Sequence, residues 1–143
     1  MGYRKMILVS SCLIGEPCRY NARDNLNVKV VEFLKNKDYI QVCPEVLGGL
    51  KTPRLPCEIK GNSVVNAQGE NLTAAFNLGA EKCLGLAKDN HVSLCILKES
   101  SPSCGVNSIY DGTFSKCKIK GMGYTARLLK ENGFSVISEK DLK

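Results

Sequence analysis

The chain of 143 residues contains eight cysteines, and their number and spacing point to chemistry more directly than any other residue type. In a reducing compartment such an excess of thiols indicates metal binding or catalysis before it indicates disulfides. None of the cysteines forms a Cys-x-x-Cys pair. This spacing argues against thioredoxin-like redox chemistry, zinc ribbons and ferredoxin-type runs, whose ligands are two or three residues apart.

The elements that must position these thiols alternate between strands and helices. Four apolar, β-rich segments predict strands over residues 6–11, 39–43, 92–97 and 134–138. Helical spacing of apolar residues predicts helices near 26–37, from Thr73 onward and over 124–131. This alternation predicts an α/β fold with a single doubly wound, mainly parallel sheet, Rossmann-like or flavodoxin-like, with helices on both faces. The whole chain, residues 1–143, is predicted to be one domain.

Two stretches between these elements have turn-forming compositions. Residues 44–61 contain three prolines and three glycines, which predicts an ordered functional loop without regular structure. Residues 60–69 predict a small hairpin. At the amino terminus, the apolar run 6–9 is too short for a secretory or membrane-spanning segment, so we expect a cytoplasmic protein with no membrane partner.

Three cysteines follow predicted strands. Cys12 follows the first strand, Cys43 ends the second, and Cys104 lies in the loop after residues 92–97. Ligands of open α/β sheets bind beyond the carboxyl ends of the strands, so these elements could bring three thiols around one crevice. Three thiolates without a fourth partner suit a cubane iron–sulfur cluster with one open iron. From spacing alone, unrelated buried thiols are an equally good interpretation.

The charge of the chain favours an anionic partner. Lys and Arg number 20 against 14 Asp and Glu, a net charge of +6. This excess is scattered, with local concentrations only at Lys35, Lys37, Lys116, Lys118 and Lys120. Because aromatic residues make up only 6% of the chain, a nucleic-acid surface with stacking platforms is weakly supported. A small phosphorylated ligand fits equally well.

Several long sequence blocks resemble one family. They are VSSCLIGEPCRYN, VCPEVLGGLKTPRLPCEI, ILKESSPSCG with IYDGTFS, and GMGYTARLL with VISE. In this order, over residues 7–139, they are similar to the thiouracil desulfidase (TudS) family. The resemblance implies a 4Fe-4S cluster held by Cys12, Cys43 and Cys104, with one open iron acting as a Lewis acid. It further implies hydrolytic replacement of a thione sulfur by oxygen, with release of sulfide and without an external electron donor. The implied substrates are thiouracil and 4-thiouridine monophosphate.

Two residues of these blocks are candidates for proton transfer. Glu45 is the carboxylate nearest to Cys43 in sequence, and burial beside a cluster would suit it to general acid–base work. The alternative for Glu45 is capping of the following turn. The resemblance makes Ser101 its catalytic partner, which would position water or substrate.

Other residues of the same blocks are candidates for binding a phosphate. Ser100, Ser103 and Gly105 could supply backbone amides, although simple capping is the favoured interpretation for the two serines. The basic candidates are Arg19 and the pair Lys51 and Arg54, each of which could equally be a solvated surface charge.

The remaining thiols and the single histidine have structural interpretations. Cys18 is expected to be a thiol beside the ligands or a spare one. Cys83 and Cys95 are expected to pack as small apolar side chains, and Cys57 and Cys117 to lie in loops or at edges. His91 falls near a helix end, where capping is favoured over catalysis.

Two further functions compete with a desulfidase. A sulfur carrier or tRNA-thiolation accessory protein would use the same cluster and the positive charge to dock tRNA. A zinc or redox-sensing thiol module is disfavoured by the absence of Cys-x-x-Cys pairs. Because the domain is small and has no separate RNA-binding segment, a base or mononucleotide is the favoured substrate over tRNA.

Overall fold

The computed structural model describes residues 5–142, and strands and helices alternate along it. The strands are β1 (Met6–Ser10), β2 (Asp38–Val42), β3 (Cys57–Lys60), β4 (Ser63–Asn66), β5 (Val92–Leu97), β6 (Ser108–Tyr110), β7 (Lys118–Lys120) and β8 (Val136–Ser138). The helices are α1 (Val28–Leu34), α2 (Pro44–Leu47), α3 (Thr73–Asp89) and α4 (Tyr124–Glu131). Short 3-10 helices cover Ser11–Ile14 and Glu139–Asp141.

Four of the strands form a central sheet in the order β2-β1-β5-β8, and every neighbouring pair is parallel. This confirms the predicted mainly parallel sheet. Strand β2 is added along one edge of β1, whereas β5 and then β8 are added along the opposite edge. The strand order therefore reverses between β1 and β5, and α/β sheets bind ligands at such a switch point, beyond the carboxyl ends of the strands.

Helices cover both faces of the central sheet, as predicted. On one face, α1 contributes Val30 and Leu34 to a cluster that contains Val9 of β1. On the other face, α4 contributes Leu129 to a cluster that contains Leu8 of β1, and α3 packs into the same cluster. Because successive strand residues point to opposite faces, β1 is apolar on both sides. No helix within residues 5–142 is long and apolar enough to cross a bilayer.

Helix α1 is shorter than the helix predicted over residues 26–37. Asn27 caps its start, because the side chain accepts a hydrogen bond of 3.2 Å from the amide of Val30. Soon after its end, Asn36 adopts the left-handed conformation with φ 61°, which stops the helix.

The prediction that residues 44–61 lack regular structure is wrong. Helix α2 begins at Pro44, and β3 pairs antiparallel with β4. Helix α2 packs tightly on α3 through two glycines. A Cβ on Gly48 would lie 2.1 Å from the carbonyl oxygen of Ala75, and one on Gly79 would lie 1.9 Å from that of Pro44. This tertiary contact stabilises a one-turn helix that local composition does not reveal.

Strands β6 and β7 form a second antiparallel hairpin, in a stretch where the sequence predicts only turns. Each strand has three residues, too few for an alternating pattern to stand out. Gly112, with φ 92°, brings the connecting turn against β3. A Cβ there would lie 2.8 Å from the carbonyl oxygen of Ile59, so the close approach requires glycine.

Candidate functional site

Three thiols are placed at the switch point by the ends of parallel strands. Cys12 lies in the 3-10 helix that follows β1, Cys43 is the residue between β2 and α2, and Cys104 lies in the loop after β5. All three line one cavity of about 450 Å³, together with Cys18. This volume lies within the usual range of small-molecule sites. The structure thus brings together thiols that are up to 92 residues apart in sequence.

Each of these thiols has a polar neighbour. The Asn25 side-chain amide donates to Cys12 Sγ at 3.4 Å, and the Ser103 hydroxyl lies 3.6 Å from Cys104 Sγ. The Cys43 thiol lies 3.9 Å from the carbonyl oxygen of Cys18. A sulfur atom that accepts a hydrogen bond, as Cys12 Sγ does from Asn25, is better able to carry negative charge, which is the form in which cysteine binds metals.

The hydrogen bonds among these thiols separate their pKa values. A hydrogen bond from Cys18 lowers the pKa of Cys12 against the opposing effect of burial, with help from Asn25 and Lys98. The same thiol lowers the pKa of Cys43 to about 7. Cys18, whose thiol is the hydrogen-bond neighbour of both Cys12 and Cys43, has a raised pKa. Burial raises the pKa of Cys104 well above its ordinary value. Cys12 and Cys43 are therefore the two thiols best prepared to be thiolates.

The donor set fits an iron–sulfur cluster. Within residues 5–142, no three His, Cys, Asp or Glu side chains converge closely enough to hold a single metal ion. A cubane does not require such convergence, because each of its protein thiolates binds a different iron. Thiolates around a roomy, partly apolar cavity are the ligands that iron–sulfur clusters use.

Glu45 lies at the start of α2 and is held by Arg54. The Arg54 Nε and Nη2 atoms lie 3.1 and 3.0 Å from Glu45 Oε1. Both side chains are largely buried, at 10% and 14% exposure. Arg54 also donates to the carbonyl oxygens of Cys18 and Lys51, each at 3.1 Å. Every nitrogen of the Arg54 guanidinium is therefore engaged within the protein, so Arg54 supports Glu45 and offers no free donor to a phosphate.

A chain of hydroxyl groups joins Glu45 to Ser101. Ser103 Oγ donates to Glu45 Oε2 at 3.0 Å and lies 2.9 Å from Ser101 Oγ. Ser101 Oγ in turn accepts the amides of Ser103 and Cys104 at 3.1 and 3.2 Å. The two residues predicted to act together are thus connected through the Ser103 hydroxyl, whereas the sequence predicted for Ser103 only a backbone amide for a phosphate or a capping role.

Glu99 organises the loop that carries Ser101 and Cys104. Its buried carboxylate accepts the backbone amides of Val106, Asn107 and Ser108 at 2.8 to 3.1 Å, and the Asn107 side-chain amide at 2.8 Å. Burial raises the pKa of Glu99, but these hydrogen bonds outweigh it and lower the pKa to about 2. Glu99 is therefore ionised at neutral pH, and its carboxylate fixes the loop through these hydrogen bonds.

The amides predicted to bind a phosphate have acceptors inside the protein. The amide of Ser100 donates to Glu99, that of Ser103 to Ser101 Oγ, and that of Gly105 to the carbonyl oxygen of Ser101 at 2.8 Å. They form the loop and are not directed into the cavity. Of the predicted basic residues, Arg19 and Arg54 line the cavity, whereas the exposed Lys51 does not.

Several residues that line the cavity were not among the site residues predicted from the sequence. They include Asn25, Glu58, Lys98, Glu99, Tyr110 and Phe114. Glu99 carried a detectable signal, because an acidic residue stands two positions after a buried strand. Lys116 and Lys118 also line the cavity, and the sequence marked them only as part of a local concentration of charge.

The other cysteines and the histidine lie where packing or exposure explains them. Cys83 and Cys95 are fully buried, as predicted, in the apolar cluster between the sheet and helices α3 and α4. Cys117 is exposed, as expected for a loop residue, while Cys57 begins β3 and lines the cavity. His91 is exposed and follows the carboxyl end of α3 with φ 50°.

The fold and the thiol-lined crevice define an α/β domain with a soft-ligand site at the switch point of its sheet. A family model described as 2-thiouracil desulfurase matches residues 7–141, and the chain therefore belongs to this family. A solved structure described as the 4Fe-4S-dependent thiouracil desulfidase TudS is similar with a TM-score of 0.92. It is 41% identical and covers 97% of this chain and 93% of that chain.

A sequence relative shows similar coverage. The protein named "Uncharacterized protein YbbK" from Bacillus subtilis (strain 168) is 48% identical over 147 residues, which cover 96% of this chain and 97% of YbbK. These comparisons confirm the family and the fold expected from the sequence blocks.

Proposed function

We propose that this protein is a hydrolytic desulfidase that replaces the thione sulfur of a thiolated uracil compound by oxygen. The substrate would be thiouracil or 4-thiouridine monophosphate, and sulfide would be released. The observation that carries this proposal is the convergence of Cys12, Cys43 and Cys104 with Glu45 and Ser101 on one cavity. The activity named for the similar solved structure supports it.

The proposed cofactor is a 4Fe-4S cluster with Cys12, Cys43 and Cys104 as its three protein ligands. When bound, such a cluster supplies an open iron that acts as a Lewis acid toward the soft thione sulfur. Cys18 would stay outside the ligand set, where its thiol is the hydrogen-bond neighbour of Cys12 and Cys43. A cytoplasmic location belongs to the same proposal, because eight free cysteines suit a reducing compartment.

The proposed reaction balances without electron transfer. The oxygen of one water molecule forms the new C–O bond, the C–S bond breaks, and the two protons of that water leave with the sulfur as hydrogen sulfide. The task of the protein side chains is therefore to accept a proton from the attacking water and return it to the leaving sulfur.

The hydroxyl chain is suited to this proton movement. Because Ser101 Oγ accepts two backbone amides, its own hydrogen remains to be donated, and the nearest acceptor is Ser103 Oγ at 2.9 Å. Ser103 in turn donates to Glu45 Oε2. For Ser101 Oγ to take a proton from water, one of its two amide hydrogen bonds would have to open as the water binds; the proton would then pass through Ser103 to Glu45 and return by the same path. Glu45 would thus act first as the general base and then as the general acid.

Arg54 would keep Glu45 in place during this exchange. The Arg54 guanidinium bonds only one carboxylate oxygen, Oε1, and leaves Oε2 to Ser103. This division fixes the orientation of the carboxylate while one oxygen stays connected to the hydroxyl chain. In this proposal Arg54 is a positioning residue.

The direct test is an anaerobic reaction in water labelled with oxygen-18. The cluster-loaded protein is mixed with 4-thiouracil or 4-thiouridine monophosphate without any reductant. We expect one sulfide and one labelled oxo product for each substrate consumed. A requirement for a reductant, or an oxo product without the label, would refute hydrolysis. Sulfur incorporation into tRNA without desulfidation would instead support the carrier function.

A further inference from the structure

The loop of residues 15–27 carries four Asn and Asp side chains, and one of them has a different kind of partner from the rest. Asn21, Asp24 and Asn27 each accept the backbone amide of a residue two or three positions further along the chain, at 2.9 to 3.2 Å. Such bonds shape turns and cap helices, so local folding explains these three residue types. The Asn25 side chain makes one hydrogen bond among residues 5–142, and its acceptor is Cys12 Sγ at 3.4 Å. Local folding therefore does not explain Asn25.

Backbone hydrogen bonds already fix Asn25 beside Cys12. The backbone amide of Asn25 donates to the carbonyl oxygen of Cys12 at 2.9 Å, and that of Asn27 donates to the carbonyl oxygen of Leu13, also at 2.9 Å. These two bonds hold the end of the loop against the 3-10 helix that carries Cys12, and neither involves a side chain. Removal of the Asn25 side chain should therefore leave both the loop and Cys12 in place.

The side-chain amide of Asn25 is free to serve the sulfur atom. It has two hydrogens and no competing acceptor within the described part of the chain. The Ser103 hydroxyl beside Cys104 differs, because its single hydrogen is donated to Glu45 Oε2 at 3.0 Å. Asn25 is half-buried and lines the cavity together with Cys12. Its bond to sulfur is therefore partly shielded from water, which strengthens its electrostatic effect.

A hydrogen bond to a thiolate changes what that thiolate does for a bound iron. The bond draws negative charge toward the donor, and the reduction potential of an iron–sulfur cluster depends on such bonds to its sulfur atoms. An iron that receives less electron density is a stronger acceptor for a soft ligand. Cys18 is a second neighbour of Cys12, but a thiol is a weak donor and this one is shared with Cys43. The Asn25 amide is thus the stronger donor to Cys12.

We propose that Asn25 is a positioning residue that adjusts the electron donation of Cys12 through the hydrogen bond from its side-chain amide. This inference rests on the proposed function, in which Cys12 is a ligand of the cluster. The hydrogen bond would make the reduction potential of the cluster less negative and the open iron a stronger Lewis acid toward the thione sulfur. Asn25 acts through Cys12 and need not touch the substrate.

The test compares leucine substitutions at two asparagines of the same loop. Asn25→Leu keeps the branching of the side chain and removes the amide donor. Asn21→Leu is the matched control, since Asn21 is exposed and does not line the cavity. A second variant, Asn25→Ala, removes the donor without adding bulk and gives the same comparison if the leucine is too crowded to retain iron. Iron content, the midpoint potential of the cluster, and kcat and KM for 4-thiouracil are measured for each protein.

We expect Asn25→Leu and Asn25→Ala to shift the midpoint potential to more negative values at wild-type iron content. A fivefold change in the redox equilibrium, about the value of one ordinary hydrogen bond, corresponds to about 40 mV for one electron. The value of kcat/KM should fall by a similar factor of about five. Asn21→Leu should match the wild-type protein in the potential and in kcat/KM.

Two outcomes would overturn the assignment of Asn25. One is an unchanged midpoint potential in both Asn25 variants, which together with a raised KM would make Asn25 a substrate contact. The other is an equal shift in Asn21→Leu, which would reflect a general change of the loop.

Failure of the proposed function gives a different result. If the wild-type protein holds a cluster but converts no thiolated uracil compound, the proposed function is refuted, and the shift in midpoint potential still decides on Asn25. A wild-type protein that holds no iron–sulfur cluster would refute both proposals.

Discussion

Two groups of buried cysteines in this chain differ in their surroundings and not in their exposure. Cys12 and Cys104, at the ends of β1 and β5, are 9% and 4% exposed. Cys83 of α3 and Cys95 of β5 are fully buried in the apolar cluster on one face of the sheet. Burial alone therefore does not tell a ligand from a packing residue.

The difference lies in the neighbours. Burial raises the pKa of Cys83 and of Cys95 to about 12, and within residues 5–142 no hydrogen bond to either sulfur opposes this rise. At the strand ends, a hydrogen bond from Cys18 overcomes burial and lowers the pKa of Cys12. Cys104 shares the raised pKa of the core thiols, but it has the Ser103 hydroxyl beside its sulfur. The cysteines of the candidate site therefore differ from the packing cysteines in two ways: polar groups lie next to their sulfur atoms, and they stand at the carboxyl edge of the sheet.

Cysteine substitutions give the largest expected contrast. Replacing Cys12, Cys43 or Cys104 singly by Ala should abolish retention of the cluster, because each residue supplies one of only three proposed protein bonds to it. Cys83→Ala should keep the iron and lower the free energy of unfolding by about 1 kcal/mol through a small cavity. Iron analysis and chemical denaturation measure the two effects.

Full iron content in any of the three ligand variants would refute the ligand assignment. In that case, loss of iron in Cys18→Ala would identify Cys18 as the ligand that takes the place of the wrongly assigned cysteine. In the present account Cys18→Ala keeps its iron, since this thiol is placed outside the ligand set.

Substitution of the proton-transfer groups should separate chemistry from cluster binding. Glu45→Gln and Ser101→Ala should load iron normally, yet turnover of a 4-thiouracil compound should fall by about a hundredfold or more. The measurement is kcat on protein samples of matched iron content. Near-normal turnover in both variants would remove the assigned roles and leave the cluster proposal standing.

Two pairs of serine hydroxyl groups, Ser101 with Ser103 and Ser100 with Ser108, offer a finer contrast. Ser103→Ala should lower kcat by about tenfold or more and change the solvent deuterium isotope effect, because the variant interrupts the path from Ser101 to Glu45. Ser108→Ala removes a hydroxyl whose partner is Ser100 and leaves that path intact. Equal isotope effects in the wild-type protein and both variants would contradict a proton path through Ser103.

The smallest expected effect concerns pH and the loop carboxylate. The pKa of Glu99 is about 2 in the folded protein, below its ordinary value of 4.5. Its stabilising contribution is therefore complete above pH 4.5 and is lost as the pH falls from there toward 2. Glu99→Gln should flatten this part of the curve of unfolding free energy against pH. Glu16→Gln, at an exposed position, should leave the curve unchanged, and an unaltered slope in Glu99→Gln would contradict the role of this carboxylate.

Local patterns in the sequence were sufficient to predict the parts of the fold that have strong periodicity. The buried strands and the helix α3 lie where apolar spacing indicates, and the positions of Cys12, Cys43 and Cys104 follow from the strand ends. Helix α2 could not be predicted, because the contact of Gly48 with α3 stabilises it.

The sequence predicted which residue types form the site better than it predicted the contacts between them. Arg54 and Glu45 are nine residues apart, and only the folded chain shows that they pair and that no guanidinium nitrogen of Arg54 is left free for a phosphate. The lysines of the β6–β7 hairpin were visible as a cluster of charge, but their place over the cavity depends on Glu58, 54 residues before Gly112. Such long-range contacts carry no periodic signal.

The central claim is that three strand-end thiols hold an iron–sulfur cluster, and metal analysis tests it most directly. The protein is purified without oxygen and assayed for iron, acid-labile sulfide and zinc. We expect about four iron and about four sulfide per chain, with broad visible absorption. Stoichiometric zinc without iron or sulfide would contradict the claim.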